Sequence, residues 1–274
     1  MKFRLYRQFG ALNSRPIFDA FEQGIKRLGH ESVDQGEDIA VIWSVLWNGR
    51  MANNRNVYYD CLQRNIPVMI IEVGNLLRNR SWRISLNNIN ALGKFAADAD
   101  IDPNRVNRFN LDFFSIKENR SPAILIASQH ERSLQWEGMP AMQEWVKETI
   151  YSIQKFTDRP IVLRPHPRCP VRVPGVEIQL PRAVPGTYDS FDLGFDYHCV
   201  INYNSGPAIH AAINGTPIVC DPSSLAYPVS DVIENIENPT LSDRTDWLIK
   251  LSNTEWFVDE IEQGIPQQKL LTLI

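Results

Sequence analysis

The stretch HCVINYNSGPAIHAAINGTPIVCDPSS, residues 198–224, decides the fold of this chain. Residues 199–201 are a short apolar run with β-branched side chains, typical of a strand buried on both faces. The turn at 204–207 predicts a helix start, because Asn or Ser can cap a helix and proline suits its first turn. Gly215 ends that helix, and a second apolar strand follows at 216–220. The stretch therefore predicts a β-α-β unit.

The start of this helix, at Asn204, Ser205 and Gly206, is a candidate anion site. A helix that begins at the carboxyl end of a parallel strand points unpaired N–H groups and its dipole towards a ligand. The alternative is an ordinary β-α-β unit whose caps serve only the fold.

A second segment, PIVLRPHPR at 160–168, strengthens the anion hypothesis. An apolar strand ends in Arg164, His166 and Arg168, with prolines that keep the backbone extended. Two guanidinium groups and an imidazole at a strand end can bind a diphosphate. Alternatively, Arg164 pairs with a core carboxylate and His166 is a loop histidine with ordinary partners.

The first half of the chain has a similar β/α rhythm. Strands are predicted at 2–6, 38–46 and 67–72, with helices starting at Pro16 and spanning 56–65. This order favours a parallel sheet with helices on its faces. The polar stretch at 119–122 predicts a domain boundary, and 245–264 predicts a final packing helix.

Glu72 is a candidate general base. It is the first charge after a fully apolar strand, at the edge where open α/β sheets carry their chemistry. The alternative is an ion pair with Arg78 or Arg80. Asp98 is the less favoured candidate for the same role.

The segment 76–93 mixes Arg, Asn and Ser with one Trp. Arg78, Arg80 and Arg83 around Trp82, with Arg50 in an earlier loop, match the basic and aromatic pattern that binds phosphate backbones and stacks bases. A solvated irregular region would explain the same composition.

The overall charge of −4 argues against a wholly basic nucleic-acid coat, but the charge is uneven. From Arg50 to Lys94 there are seven basic residues against only Asp60 and Glu72. The four cysteines have no C-x-x-C spacing, so neither zinc nor a disulfide is predicted. The chain shows no charged-then-apolar leader at Met1 and no apolar run of membrane-spanning length, which predicts a cytoplasmic protein.

Together, PIVLRPHPR and NYNSGPAIHAAINGTPIVCD resemble donor-domain elements of GT-B glycosyltransferases, especially capsule-type and related sugar transferases. The resemblance is architectural and covers most of the chain. It implies an α/β fold with two Rossmann-like halves facing a central cleft, closed by a C-terminal helix. Residues 1–118 would bind the acceptor, and 119–274, with the C-terminal helix, the nucleotide-sugar. The usual glycine-rich loop of the first half and the E-x(7)-E donor motif are absent, which argues against a retaining, hexose-specific enzyme.

The resemblance also implies residue roles. Arg164, His166 and Arg168 would bind the donor diphosphate together with the helix start at 204–206. Asp221 and Ser223 would lie near the donor sugar or ribose. The co-substrate would be a nucleotide-sugar, with a UDP-sugar favoured, and no cofactor or metal would be bound permanently.

The compact acceptor half and its basic segment resemble phage-type DNA glycosyltransferases. These decorate a hydroxymethylated pyrimidine, which must be flipped out of double-stranded DNA to be reached. The expected enzyme is an inverting hexosyl- or pentosyltransferase in which Glu72 takes the acceptor proton, working in the host cytoplasm if phage-encoded. Two alternatives stay open. One is a capsule- or teichoic-type polysaccharide or glycerol-phosphate transferase, which would carry a membrane-facing amphipathic stretch that the sequence does not show. The other is a non-catalytic nucleotide- or nucleic-acid-binding protein.

Overall fold

The computed structural model describes residues 1–111, 114–116, 120–185 and 191–274. The chain divides into two compact units. Unit 1 comprises 1–111, 132–134 and 248–274, and unit 2 comprises the described residues of 112–131 and 135–247. The predicted boundary between residues 118 and 119 lies outside the described residues. Residues 248–274, which the sequence assigned to the second domain, group with unit 1 instead.

The α-helices separate single strands in parts of the chain and runs of several strands in others. In order they are β1 (Lys2–Leu5), α1 (Arg15–Arg27), β2 (Glu31–Ser32), β3 (Ile39–Trp43), α2 (Asn54–Gln63), β4 (Val68–Val73), β5 (Trp82–Leu86), β6 (Lys94–Phe95), β7 (Ile124–Ala127), α3 (Met142–Ile153), β8 (Ile161–Arg164), β9 (Glu177–Ile178), β10 (Arg182–Ala183), β11 (Phe191–Asp192), β12 (Cys199–Asn202), α4 (Gly206–Ile213), β13 (Ile218–Cys220), α5 (Thr245–Ser252), β14 (Glu255–Trp256), α6 (Val258–Gln263) and α7 (Ile265–Leu271). Within the described ranges, no helix has the length and apolar character needed to cross a membrane.

The sheet of unit 1 has the order β14-β5-β4-β3-β1-β2, with β6 also beside β5. β2, β1, β3 and β4 are parallel neighbours, as the β-α-β-α-β prediction requires. β5 runs antiparallel to β4, β6 and β14. The direction reverses because residues 74–81 connect β4 to β5 directly, without the helical crossover that parallel strands need.

Unit 1 buries apolar side chains on both faces of this sheet. Val41 and Trp43 of β3 pack on one face with residues of α1, α6 and α7. Ile42 of β3 and Ile70 of β4 pack on the other face with residues of α2. This burial explains the continuous apolar runs of β3 and β4, since a strand covered on both faces has no solvated side.

The main sheet of unit 2 has the order β13-β12-β7-β8-β9, and all its pairs are parallel. β12, α4 and β13 confirm the β-α-β unit predicted from 198–224. One face of the sheet packs with α3 around Val146, Ile126 and Leu163, which are buried. The predicted α/β class with parallel sheets is therefore confirmed.

Two predicted segments differ in the structure. The region 76–93, expected to be irregular, contains β5. The single helix expected at 245–264 is instead α5, β14 and α6 in succession. The break occurs because Glu255 and Trp256 pair with Arg83 and Trp82 and so extend the sheet of unit 1.

Candidate functional site

The carboxyl ends of four strands form a polar edge of unit 2. β13, β12, β7 and β8 are parallel neighbours, so their ends meet at one edge of the sheet. The polar residues that follow are Ser128, Gln129 and His130 after β7, His166 and Arg168 after β8, Asn204 and Ser205 after β12, and Asp221 and Ser223 after β13. This edge unites the two segments that the sequence singled out.

Asn204 is the centre of a hydrogen-bonded row along this edge. Its backbone N–H donates to Gln129 Oε1 (3.2 Å), and its Nδ2 donates to Ser223 Oγ (2.9 Å). Ser223 Oγ in turn donates to Asp221 Oδ1 (2.6 Å). Asn204 is 6% exposed, and its Oδ1 is buried with no hydrogen-bond partner among the described residues. An unsatisfied buried acceptor costs about 1–3 kcal/mol, which a donor group on a ligand would offset.

The N-terminus of α4 carries no side-chain cap. Ser205 is its N-cap residue, in an extended conformation, but its Oγ does not accept from the first turn of the helix. Instead, Asn202 Nδ2 donates to Ser205 Oγ (2.9 Å), and the Ser205 N–H donates to Asn202 Oδ1 (2.8 Å). The predicted helix start is confirmed, and its first-turn N–H groups keep the polarity that favours an anion. The diphosphate role of Asn204, Ser205 and Gly206 stays a prediction.

Arg164 ends β8, as predicted, and has acceptors within unit 2. The side chain is buried, with the residue 4% exposed. Its guanidinium donates to the carbonyls of Leu193 (3.0 Å) and Gly194 (2.7 Å) and to Gln179 Oε1 (2.6 Å). Arg164 therefore ties the loop before β12 to the end of β8. These hydrogen bonds give Arg164 a part in the fold of unit 2, and its diphosphate contact stays a prediction.

His166 and Arg168 lie at the predicted strand end. The half-buried His166 ring packs edge-on against His130, with 5.2 Å between ring centroids. The Arg168 N–H donates to His166 Nδ1 (3.1 Å), so the neutral imidazole carries its proton on Nε2. Arg168 is exposed. Sequence reasoning missed His130, although it follows an apolar strand in the same way that Glu72 does.

Glu72 lies at the carboxyl end of β4 in unit 1, half-buried. Ser44 Oγ donates to Glu72 Oε2 (2.6 Å), and the Val73 N–H donates to Oε1 (2.9 Å). Ser44 follows β3 and has a φ of 63°, a left-handed conformation that is rare for a residue other than glycine. Two donors thus fix the carboxylate at an edge where a base is expected, and no ion pair of Glu72 with Arg80 occurs within the described contacts.

The five predicted acceptor-binding residues separate into two groups. Arg50, in a short 3-10 helix, and Arg78 and Arg80, in the turn after β4, are exposed. Trp82 and Arg83 are each only 8% exposed, so they are not available as a surface for stacking bases or binding phosphates. The reason is that β5 lies between β4 and β14, inside the sheet.

Asp98, the alternative base, accepts a hydrogen bond from the backbone of its own 3-10 turn. Its Oδ2 accepts the Phe95 N–H (2.8 Å) at the start of a 3-10 turn, and Lys250 Nζ lies 3.7 Å from its Oδ1. The general-base role of Glu72, and of Asp98 as the alternative, stays a prediction.

Burial disfavours the thiolate form of three cysteines. Burial raises the pKa of Cys61 to about 11 and raises the pKa of Cys199 and of Cys220. Thiols with raised pKa values stay protonated and unreactive. Across the residues that the structure describes, no three His, Cys, Asp or Glu side chains are grouped so that they could hold a metal ion.

No protein-family profile and no curated protein matches the chain. Among solved structures, the chain is similar to a beta Kdo 2,4 transferase of Thermosulfurimonas dismutans KpsC, with a TM-score of 0.52 and 10% identity over 94% of this chain and 92% of that chain. It is also similar to a beta Kdo 2,7 transferase of the same KpsC, with a TM-score of 0.46 and 14% identity over 98% and 99%. At 10% identity, the similarity to the 2,4 transferase shows a shared fold. The chain thus has two Rossmann-like units of the GT-B type, a fold that it shares with a sugar transferase.

Proposed function

We propose that this protein is a glycosyltransferase that moves a sugar from a nucleotide-sugar to an acceptor hydroxyl. The observation that carries the proposal is the polar edge of unit 2, where the uncapped start of α4 lies beside buried Asn204, whose Oδ1 lacks a partner. N–H groups at a helix start suit the phosphates of the donor. Ser223 and Asp221, joined to Asn204, are the candidate ligands of the ribose or sugar.

The proposed reaction is a single displacement. Glu72 of unit 1 takes the proton of the acceptor hydroxyl, whose oxygen forms a bond to the anomeric carbon. The bond between that carbon and the phosphate oxygen breaks, and the nucleotide leaves with the electron pair. The first turn of α4, His166 and Arg168 stabilise the charge of the leaving group. Arg164 contributes indirectly, because it holds the end of β8 from which His166 follows.

The acceptor is the finer part of the proposal. A hydroxymethylated pyrimidine in double-stranded DNA is the first acceptor to test, with Arg50, Arg78 and Arg80 as phosphate contacts. The second candidate is a saccharide acceptor. The burial of Trp82 favours it, because that burial removes the aromatic side chain predicted to stack on a base.

Asn204→Asp tests the donor site with little change of shape. The carboxylate near the start of α4 repels a phosphate, while a negative charge at a helix N-terminus is compatible with folding. We expect one class among UDP-, GDP-, ADP- and CMP-sugars to raise the melting temperature of the wild type. The variant should bind that class at least about tenfold more weakly, a loss of about 1.4 kcal/mol.

Lys147→Ala is the matched control, since Lys147 is an exposed residue of α3 that pairs with Glu144. It should bind the donor as the wild type does, whereas His166→Ala should bind it more weakly. If the same nucleotide-sugar raises the melting temperatures of Asn204→Asp and the wild type equally, the donor does not bind at the polar edge of unit 2. If no nucleotide-sugar stabilises the wild type, the glycosyltransferase proposal fails.

A further inference from the structure

A row of three charged side chains crosses the sheet of unit 1. Glu72 of β4 pairs with Arg83 of β5, and Arg83 pairs in turn with Glu255 of β14. Directly opposed residues of antiparallel strands point to the same face, with Cβ atoms about 5 Å apart. Glu255 is completely buried and Arg83 is 8% exposed, whereas Glu72 is half-buried. The row therefore runs from the interior of unit 1 to the proposed base.

Glu255 holds the segment that leaves β4. Its carboxylate accepts the N–H groups of Asn75 (2.6 Å to Oε1) and Leu76 (3.1 Å to Oε2), and it accepts Ser81 Oγ–H (2.7 Å). These contacts tie both ends of residues 74–81, here called the 74–81 loop, to one carboxylate. The loop begins directly after Val73, whose N–H binds Glu72, and it carries the exposed Arg78 and Arg80.

Arg83 lies between the two carboxylates. Burial lowers the pKa of Arg83, and the charges of Glu72 and Glu255 oppose that effect. Its Nε is buried without a hydrogen-bond partner among the described residues, so nearby negative charge is what compensates the buried cation. Among the described residues no hydrogen bond or ion pair joins Arg83 to either glutamate, so strand register places Arg83 between them and their charges act on it through space.

We infer that Arg83 and Glu255 are positioning residues for Glu72, an inference that rests on the proposed function. Glu255 acts through Arg83 and the 74–81 loop, and Arg83 acts on the Glu72 carboxylate from the side opposite to β3, where Ser44 binds it. The C-terminal residues 248–274 thereby contribute to the reactive edge of unit 1, although 180 residues separate Glu255 from Asn75.

Glu255→Gln tests the inference, with Glu260→Gln as the matched control. Both are buried glutamates of the same C-terminal segment, but Glu260 pairs with Arg105, away from the row. Three quantities are measured: the melting temperature, the affinity for the donor, and kcat. The donor is the nucleotide-sugar that stabilises the wild type, and kcat is the rate of nucleotide release from it, with water or the acceptor as nucleophile. We expect Glu255→Gln to lower kcat about 10- to 100-fold with unchanged donor affinity, because small misplacement of a reacting group has effects of this size. Glu72→Gln should behave in the same way.

Glu260→Gln should lower the melting temperature and leave kcat of the folded protein at the wild-type value. Arg83 gives a second, independent comparison, in which Arg83→Lys keeps the charge and should retain more of kcat than Arg83→Met. The inference is overturned if Glu255→Gln and Glu260→Gln lose stability alike and both keep the wild-type kcat. If the wild type releases no nucleotide from any donor, the proposed function is refuted, and the inference with it. If the wild type is active and Glu255→Gln is equally active, only the inference is refuted.

Discussion

His198 shows how one buried side chain makes unit 2 sensitive to pH. Its Nε2–H donates to the carbonyl of Ile236 (3.0 Å), which fixes the neutral tautomer. Burial lowers the pKa of His198 below its usual value near 6.5, the charges of Arg159 and Arg120 add to this effect, and the Ile236 carbonyl opposes it. The folded protein therefore resists a proton that the unfolded chain accepts.

We predict that acidification below about pH 6.5 destabilises the protein through His198. At a pH between the pKa of His198 in the folded protein and its pKa in the unfolded chain, the unfolded chain binds more protons. The contribution of neutral His198 to the free energy of unfolding is therefore complete above about pH 6.5, and it is lost as the pH falls to the pKa of the folded protein. One proton gives a slope of at most about 1.4 kcal/mol per pH unit. Urea unfolding from pH 7.5 to 5.0 should show a weaker pH dependence for His198→Gln, which keeps an N–H donor. Parallel curves for the two proteins would contradict the prediction.

Residue roles were the least predictable feature of the sequence. Arg164 was recognisable as a polar residue at a strand end, but its acceptors lie at Gln179, Leu193 and Gly194. No local pattern relates these positions. A buried arginine and a ligand-binding arginine at a strand end therefore look the same in a single sequence.

At the scale of elements, local signals succeeded where the partner was near in sequence. The turn residues and apolar spacing of 198–224 predicted β12, α4 and β13, because a β-α-β unit is made within one stretch. β5 was missed, although Trp82, Ile84 and Leu86 alternate with Arg83 and Ser85, the period-2 pattern of a strand. Arginine and asparagine around that pattern suggested a surface. β14 had no such signal, since its two residues become a strand only by pairing with β5.

The turn after β4 depends on a glycine. A Cβ at Gly74 would lie 2.4 Å from both Glu255 Oε2 and Ser81 Oγ and 2.6 Å from the Ser81 carbonyl oxygen. We expect Gly74→Ala to destabilise the protein by about 1–3 kcal/mol, because backbone or buried groups must shift to make room. Gly194→Ala is the control, since a Cβ there meets no described atom within 4 Å. Chemical unfolding of both variants is the measurement, and equal stability of the two would show that the 74–81 loop adapts without cost.

The whole molecule is not built as two consecutive halves. The sequence suggested that division because the β/α rhythm repeats on either side of 119–122. Instead the chain forms most of unit 1, then unit 2, and returns to complete unit 1 with residues 248–274. The return could not be read from the sequence, since the amphipathic pattern near residue 250 shows that a segment packs but not against which sheet.

This topology predicts that deletion of 248–274 unfolds unit 1 although it removes the end of the chain furthest from β1. The deletion removes Trp256, Ile261 and Leu270, which are at most 1% exposed, and each such side chain contributes about 1.5–3 kcal/mol. It also leaves buried Arg105 without Glu260 and without the carbonyls of residues 252 and 255. The sum approaches the whole stability of a typical domain, about 5–15 kcal/mol.

Amide hydrogen exchange measures the outcome separately in each unit. In the truncated chain, β3 and β4 should lose most of their protection, whereas β7 and β12 of unit 2 should keep theirs, because their sheet contains no residue beyond 247. Protection of β3 and β4 at the level of the intact chain would mean that β14, α6 and α7 are dispensable additions to unit 1. Loss of protection in both units would mean instead that unit 2 does not stay folded once unit 1 is lost.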